Sequence, residues 1–244
     1  QRIKDNTGAL HTGDDFQILK CSGAEETAAL VQKIFQQELQ DKSIDDVQVL
    51  TPYRKRGAAS VNELNQVLRE IVNPQDSRKR TMTVGKRKFR EGDKVIQTKN
   101  RDLVSNGDMG IIRQFFLDEE GRKKAKLLFS DDREIIYSAE DMDEVELAYA
   151  TTVHKSQGSE YPVVILPWIK GFYTMLKRPI LYTAVTRAKE KLIIVGEQAA
   201  LYQAIRTDNR GMRNSILAKR IVAEYHTATE NVQETDCEQL KLAI

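Results

Sequence analysis

Residues Ala150–Pro167 read ATTVHKSQGSEYPVVILP. The stretch opens with Thr151, Thr152, His154 and Lys155 crowded into its first six residues. It crosses Gly158 and the carboxylate of Glu160, then ends in Val163–Leu166, a β-branched and aliphatic run that reads as a buried strand. Polar groups held against a core strand across a glycine are how α/β proteins build a ligand edge.

The flanking segments carry the same alternation. Upstream, Val47–Leu50 reads as a short strand, and Thr51-Pro52-Tyr53-Arg54-Lys55-Arg56-Gly57 as the loop after it. A helix over Ala58–Val72 follows, with Val61, Leu64, Val67, Leu68 and Ile71 on its apolar stripe, stopped by Asn73-Pro74. Strand, basic loop and helix make the βα unit of a parallel sheet. A hydroxyl, a tyrosine ring and three cations in one loop suit phosphate and base contacts, although a solvated loop has the same composition. Nearer the N-terminus, Phe16–Leu19 reads as a strand. Ser22 or Gly23 caps a helix with the stripe Leu30, Ile34, Phe35 and Leu39. Downstream, Val145–Tyr149 reads as strand-like where the α/β pattern returns, and after the opening stretch come an aromatic loop over Trp168–Lys177, a helix over about Ile180–Ala188 opened by Pro179, and a strand Lys191–Gly196. Further helices are expected at Ala199–Ile205 and Asn214–Ile221, then a polar tail over 223–244.

Between these halves the pattern changes. Residues 75–90 are crowded with Arg78, Lys79, Arg80, Lys86, Arg87, Lys88 and Arg90. From there to about residue 146 come short strands separated by turn signals such as Asn106-Gly107 and Asp118-Glu119-Glu120-Gly121. A small barrel or sandwich inserted into an α/β domain is the expectation. Its start is basic and Asp118–Glu146 is acid-rich, so a net charge of only +2 over 244 residues conceals a polarised surface.

The bulk composition excludes several classes. Cys21 and Cys237 lie near opposite ends without metal-type spacing, which fits a reducing cytosol and no disulfide framework. His11, His154 and His226 are too scattered for a zinc site, so no metal centre is expected. No apolar run reaches membrane-spanning length. The chain opens at Gln1 without a methionine, which reads as a fragment or a processed chain.

A second polar constellation is Tyr182-Thr183-Ala184-Val185-Thr186-Arg187-Ala188-Lys189. On a helix Thr183 and Arg187 are i,i+4 neighbours, so a guanidinium is expected beside hydroxyls. Arginine there suits the developing charge of a transferring phosphoryl group, but it is also an ordinary structural helix residue.

Together, TTVHKSQGSEYPVVIL and LYTAVTRAKEKLIIVG resemble motifs V and VI of RecD-like superfamily 1 helicases of the 5′-to-3′ group. VLTPYRKRGAASVNELNQVL resembles their motif IV region, and FREGDKVIQTKN with NGDMGII resembles their inserted SH3-like barrel. The resemblance covers about residues 45–220. It implies a RecA-like motor domain 2A over 1–78 and 147–222, interrupted by barrel 2B over 79–146. It implies an arginine finger at Arg187, a nucleotide edge at Gln157, Gly158 and Glu160 with Glu160 accepting a ribose hydroxyl, and single-strand contacts from Thr51, Arg54, Thr152, His154 and Lys155. Implied cofactors are ATP and Mg²⁺. Implied partners are single-stranded DNA and duplex ends, an N-terminal motor domain of the same chain, and recombination subunits.

One departure matters. No G-x-x-x-x-G-K-[ST] loop occurs and no apolar strand ends in Asp-Glu, so the phosphate cradle and Mg²⁺ ligands are expected upstream, and this chain alone is expected to lack ATPase activity. A non-catalytic nucleic-acid-binding module and the half-motor of a conjugative relaxase-helicase remain alternatives.

Overall fold

The computed structural model describes residues 12–207, so the expected helix over 214–221, the tail and Cys237 lie outside the described residues. In chain order the first half runs β1 (Phe16–Lys20), α1 (Gly23–Glu38), β2 (Val47–Thr51) and α2 (Val61–Val72). Seven strands follow: β3 (Thr81–Val84), β4 (Arg87–Arg90), β5 (Lys94–Gln97), β6 (Met109–Leu117), β7 (Lys123–Phe129), β8 (Glu134–Ser138) and β9 (Val145–Leu147). The last part holds β10 (Ala150–Thr152), β11 (Tyr161–Trp168), α3 (Arg178–Val185), β12 (Ala188–Gly196) and α4 (Gln198–Arg206).

A five-stranded sheet in the order β1-β12-β11-β2-β10 joins the two flanking segments, and every pairing in it is parallel. Its strands are apolar on both faces because helices cover both. Successive residues of β11 and β12 show this directly. Val164, Leu166, Leu192 and Ile194 pack with Leu181 and Leu201 of α3 and α4, whereas Val163, Ile165, Ile193 and Val195 pack with α1 and α2. The fold is therefore α/β, with the RecA-like sheet expected.

The inserted segment builds a five-stranded antiparallel sheet, β8-β7-β6-β5-β9, and a separate β3-β4 hairpin around its own core of Phe89, Ile112, Leu127 and Tyr137. Three details differ from expectation. Val145–Leu147 pairs antiparallel with β5, so this strand closes the insertion and does not begin the returning α/β segment. Residues 81–90, expected only as a basic stretch, form the hairpin, with Gly85 at φ +59° in its turn. Helix α3 ends at Val185 and β12 starts at Ala188, so Arg187 lies in a turn and not on a helix.

Lys94 joins the two sheets. It is 2% exposed, and its Nζ donates to the Ile44 carbonyl at 2.7 Å and reaches Gln48 Oε1 of β2 at 3.4 Å. Burial outweighs the nearby Asp45 and Asp46 and pushes its pKa down to about 8. Between about pH 8 and the ordinary lysine value the unfolded chain binds the extra proton, so stability from this group rises with pH through that window and the burial cost is complete below it. The stability difference between the wild type and Lys94→Met, read from urea melts, should therefore shift in favour of the wild type as pH rises, by on the order of 3 kcal/mol across the window. A pH-independent difference would refute this.

Candidate nucleic-acid and nucleotide site

Strands β2 and β10 are parallel neighbours, with Thr51 opposite Thr152, so the loops leaving their C-terminal ends emerge side by side. The edge of β10 is closed by a side chain. Asn65 of α2 accepts from Ala150 N at 2.9 Å and donates to Ala150 O at 2.8 Å, pairing the strand as a neighbour would. Nothing in the sequence pattern singles out Asn65.

The loop after β2 is fastened at both ends. Val61 N donates to Tyr53 O at 2.9 Å and Asn62 N to Arg54 O at 3.1 Å, while Gly57 takes φ +79°. The Tyr53 ring packs on Phe172 at 5.0 Å, and its hydroxyl lies 2.7 Å from Thr174 Oγ1. This leaves Arg54, Lys55 and Arg56 exposed on an ordered loop. Thr51 differs from the expected phosphate contact. It is fully buried and its hydroxyl donates to Ala59 O at 2.8 Å, so it shapes the loop from inside.

The segment after β10 is a series of tight turns. Lys155 N donates to Thr152 Oγ1 at 3.2 Å and Ser156 N to Thr152 O at 3.2 Å. Gly158 takes φ +88°, and a Cβ at this position would meet no heavy atom within 4 Å. The glycine therefore serves the left-handed turn and not a close approach within the chain. His154, Gln157, Gly158 and Glu160 are all exposed. Lys155 is half-buried and its Nζ lies 2.9 Å from Glu146 Oε2, while the other oxygen of Glu146 accepts from Arg54 Nη2. Glu146 is therefore a third member of this cluster. In the sequence it is one carboxylate in an acid-rich span.

Arg187 and the end of the opening stretch are locked together. Tyr161 N donates to Arg187 O at 2.8 Å, and Arg187 Nη1 donates to Ser159 O at 2.8 Å. Arg187 Nε donates to Thr183 O at 3.2 Å and Nη2 to Thr186 Oγ1 at 3.1 Å. The expected proximity to Thr183 thus exists without a continuing helix. Of the five guanidinium N–H groups these bonds use three, and the other two have no partner among the described residues. Glu160 pairs with Lys189 at 3.3 Å with both side chains more than half exposed, a contact weak enough for a ligand to replace.

The structure thus forms two clusters linked by the continuous segment 152–161: Arg54, Thr152 and Lys155 around Glu146, and Ser159–Tyr161 around Arg187. Beside the first, a groove of ≈ 680 Å³ runs between α2 and the β3-β4 hairpin, where Arg54, Lys86, Arg87 and Lys88 face Glu63, Asp143 and Glu146. Among the described residues no group of three or more His, Cys, Asp or Glu could hold a metal ion, and no helix is long and apolar enough to cross a membrane.

Comparison with known proteins gives consistent matches. Residues 147–195 match the UvrD-like helicase C-terminal domain, and residues 64–129 match the SH3 domain of ATP-dependent RecD-like DNA helicases. The chain is 34% identical over 180 residues to the ATP-dependent RecD2 DNA helicase of Deinococcus radiodurans, covering 72% of this chain and 24% of that protein. It is 41% identical over 80 residues to the RecBCD enzyme subunit RecD of Mycobacterium tuberculosis, covering 33% of this chain and 14% of that subunit. The chain therefore spans a minor part of the length of either relative. Among solved structures, the Pif1 helicase from Bacteroides in complex with ADP-AlF3 and ssDNA aligns at 17% identity and a TM-score of 0.45, over 83% of this chain and 54% of that one, a likeness too loose to carry a functional reading. With a UvrD-like helicase C-terminal domain and a RecD-like SH3 domain in one chain, this protein belongs to the RecD-like helicases.

Proposed function

We propose that this chain is the C-terminal motor part of an ATP-dependent DNA helicase, coupling ATP hydrolysis at a domain interface to movement along single-stranded DNA. In this reading residues 79–146 are a barrel inserted in a RecA-like motor domain. Arg54, Thr152, His154 and Lys155 hold the strand's backbone, with Thr51 shaping their loop. Gln157, Gly158, Glu160 and Arg187 face a nucleotide cradled by a second motor domain. The carrying observation is the double hydrogen bond between Arg187 and Ser159–Tyr161. It joins the anion-facing arginine to the same short segment that carries Lys155.

The residues present fit a nucleotide's edge and not its cradle. Two guanidinium N–H groups and the Glu160 carboxylate complement a phosphoryl oxygen and a ribose hydroxyl, while the sequence contains no phosphate-binding loop. ATP with Mg²⁺, when bound, would supply the hydrolysable anhydride, and the groups that hold its phosphates and metal would come from the other motor domain. In this chain Arg187 would stabilise charge on the departing phosphoryl group, and the rigid sheet would transmit its displacement to Lys155. The 244-residue chain alone should not hydrolyse ATP. DNA-stimulated hydrolysis by it that Arg187→Ala abolishes would overturn this assignment.

DNA binding is tested by titrating labelled oligodeoxythymidylate with this chain at several salt concentrations. Affinity should fall steeply with salt, and Lys155→Ala should lower it and flatten the logarithmic salt slope by about 0.7, the value for one single-strand phosphate contact. Absence of salt-dependent binding would refute the DNA track.

A further inference from the structure

The carboxylate of Glu146 is held between two cations from separate loops. One oxygen accepts from Arg54 Nη2 in the loop after β2, and the other from Lys155 Nζ, at 2.9 Å, in the turn after β10. Glu146 itself comes from the antiparallel sheet, in β9 opposite Ile96 of β5. It presents two anionic oxygens on one centre to a guanidinium and an ammonium, as a phosphodiester would. Solvent reaches the cluster: the side chains of Glu146 and Lys155 are 22% and 25% exposed and that of Arg54 is 50% exposed. The Arg54 end is open enough to be weak and screened, and solvent access at the Lys155 end lets another anion compete with Glu146 there.

We propose that Glu146 occupies the place of one backbone phosphate and that bound single-stranded DNA displaces it. This inference rests on the DNA reading above and adds a regulating residue to it. Two consequences follow from the charges. With Glu146 in place the cluster carries a net single positive charge, so the strand gains less than two bare cations would give. When DNA enters, the ionic tie between the antiparallel sheet and the two loops of the parallel sheet opens. Glu146 is thus a positioning residue: it orders both cations in the absence of DNA and yields them when the strand arrives.

The test uses the whole chain, a labelled oligodeoxythymidylate, and the variants Glu146→Gln and Glu146→Ala. Both should bind more tightly than wild type at low salt, by about three- to tenfold, with a steeper logarithmic salt slope. In an Arg54→Ala/Lys155→Ala background the same substitutions should change nothing, a result that general loosening of the fold would not produce. Unchanged or weaker binding by both Glu146 variants, with thermal melts matching wild type, overturns the displacement mechanism. If they bind more weakly while Lys155→Ala also binds more weakly than wild type, Glu146 only preorganises the cations and the DNA reading survives. If wild type and Lys155→Ala bind alike, or neither binds, the DNA reading fails and this inference fails with it.

Discussion

Arg187→Ala, in a protein that also contains the nucleotide-cradling motor domain, is expected to slow ATP hydrolysis by about 10³–10⁵-fold. The effect should fall on kcat, with KM for ATP and affinity for single-stranded DNA changing by only a few-fold, because the arginine is proposed to meet charge that develops during transfer. The hydrogen bonds of Arg187 decide the controls. It also donates to Ser159 O and Thr183 O, so the alanine variant loses local ties as well as charge. Arg187→Lys keeps the charge but not the planar fork, and should recover little of the rate. The bond from Tyr161 N to Arg187 O uses only backbone atoms and survives both substitutions. Thermal melts should therefore stay close to wild type. A kcat within tenfold of wild type for Arg187→Ala would remove it from the phosphoryl-transfer role.

The parallel sheet is legible in the sequence because β2, β11 and the second half of β12 are largely aliphatic runs buried on both faces, a composition that loops and amphipathic helices do not share. The hairpin is less legible. Its strands TMTV and RKFR are four residues each, and their charges mask the buried Met82, Val84 and Phe89. The alternation and the turn at Gly85 are the available signals. Alanine, arginine and lysine favour a helix around Arg187, yet pairing of Ala188 with Tyr161 of β11 draws the chain into a strand three residues earlier than expected. The hydroxyl of Thr51 suits phosphates and carbonyls alike, and only the fold shows it facing Ala59. Glu146 is out of reach of the sequence for a different reason. Its partners lie 92 and 9 residues away, in loops that come together only when β2 and β10 pair.

The same long-range logic governs the joint between the two sheets, where Asp93→Ala should destabilise the chain by about 3–5 kcal/mol. Asp93 is fully buried just before β5. Its Oδ1 accepts from Asn73 Nδ2 at 2.8 Å and from Tyr149 OH at 3.2 Å, and its Oδ2 accepts from Arg90 N at 2.7 Å and faces Arg69 Nη1 at 3.5 Å. Those partners come from the end of α2, the hairpin and the segment between β9 and β10. Burial raises the pKa of Asp93 despite these donors, so the carboxylate is not stabilising in itself. Removing it is nevertheless costly, because the buried Arg69 keeps only the more distant Glu70, at 3.9 Å, as counter-charge and three donors lose their acceptor. Part of the loss should therefore be recovered by removing the stranded charge: Asp93→Ala/Arg69→Met should be more stable than the sum of the two single losses implies, with a coupling above about 1 kcal/mol. Urea unfolding of the four members of this cycle reads the coupling directly. Simple additivity, or a loss below about 1 kcal/mol for Asp93→Ala, would mean that the Asp93–Arg69 network does not hold the two sheets together.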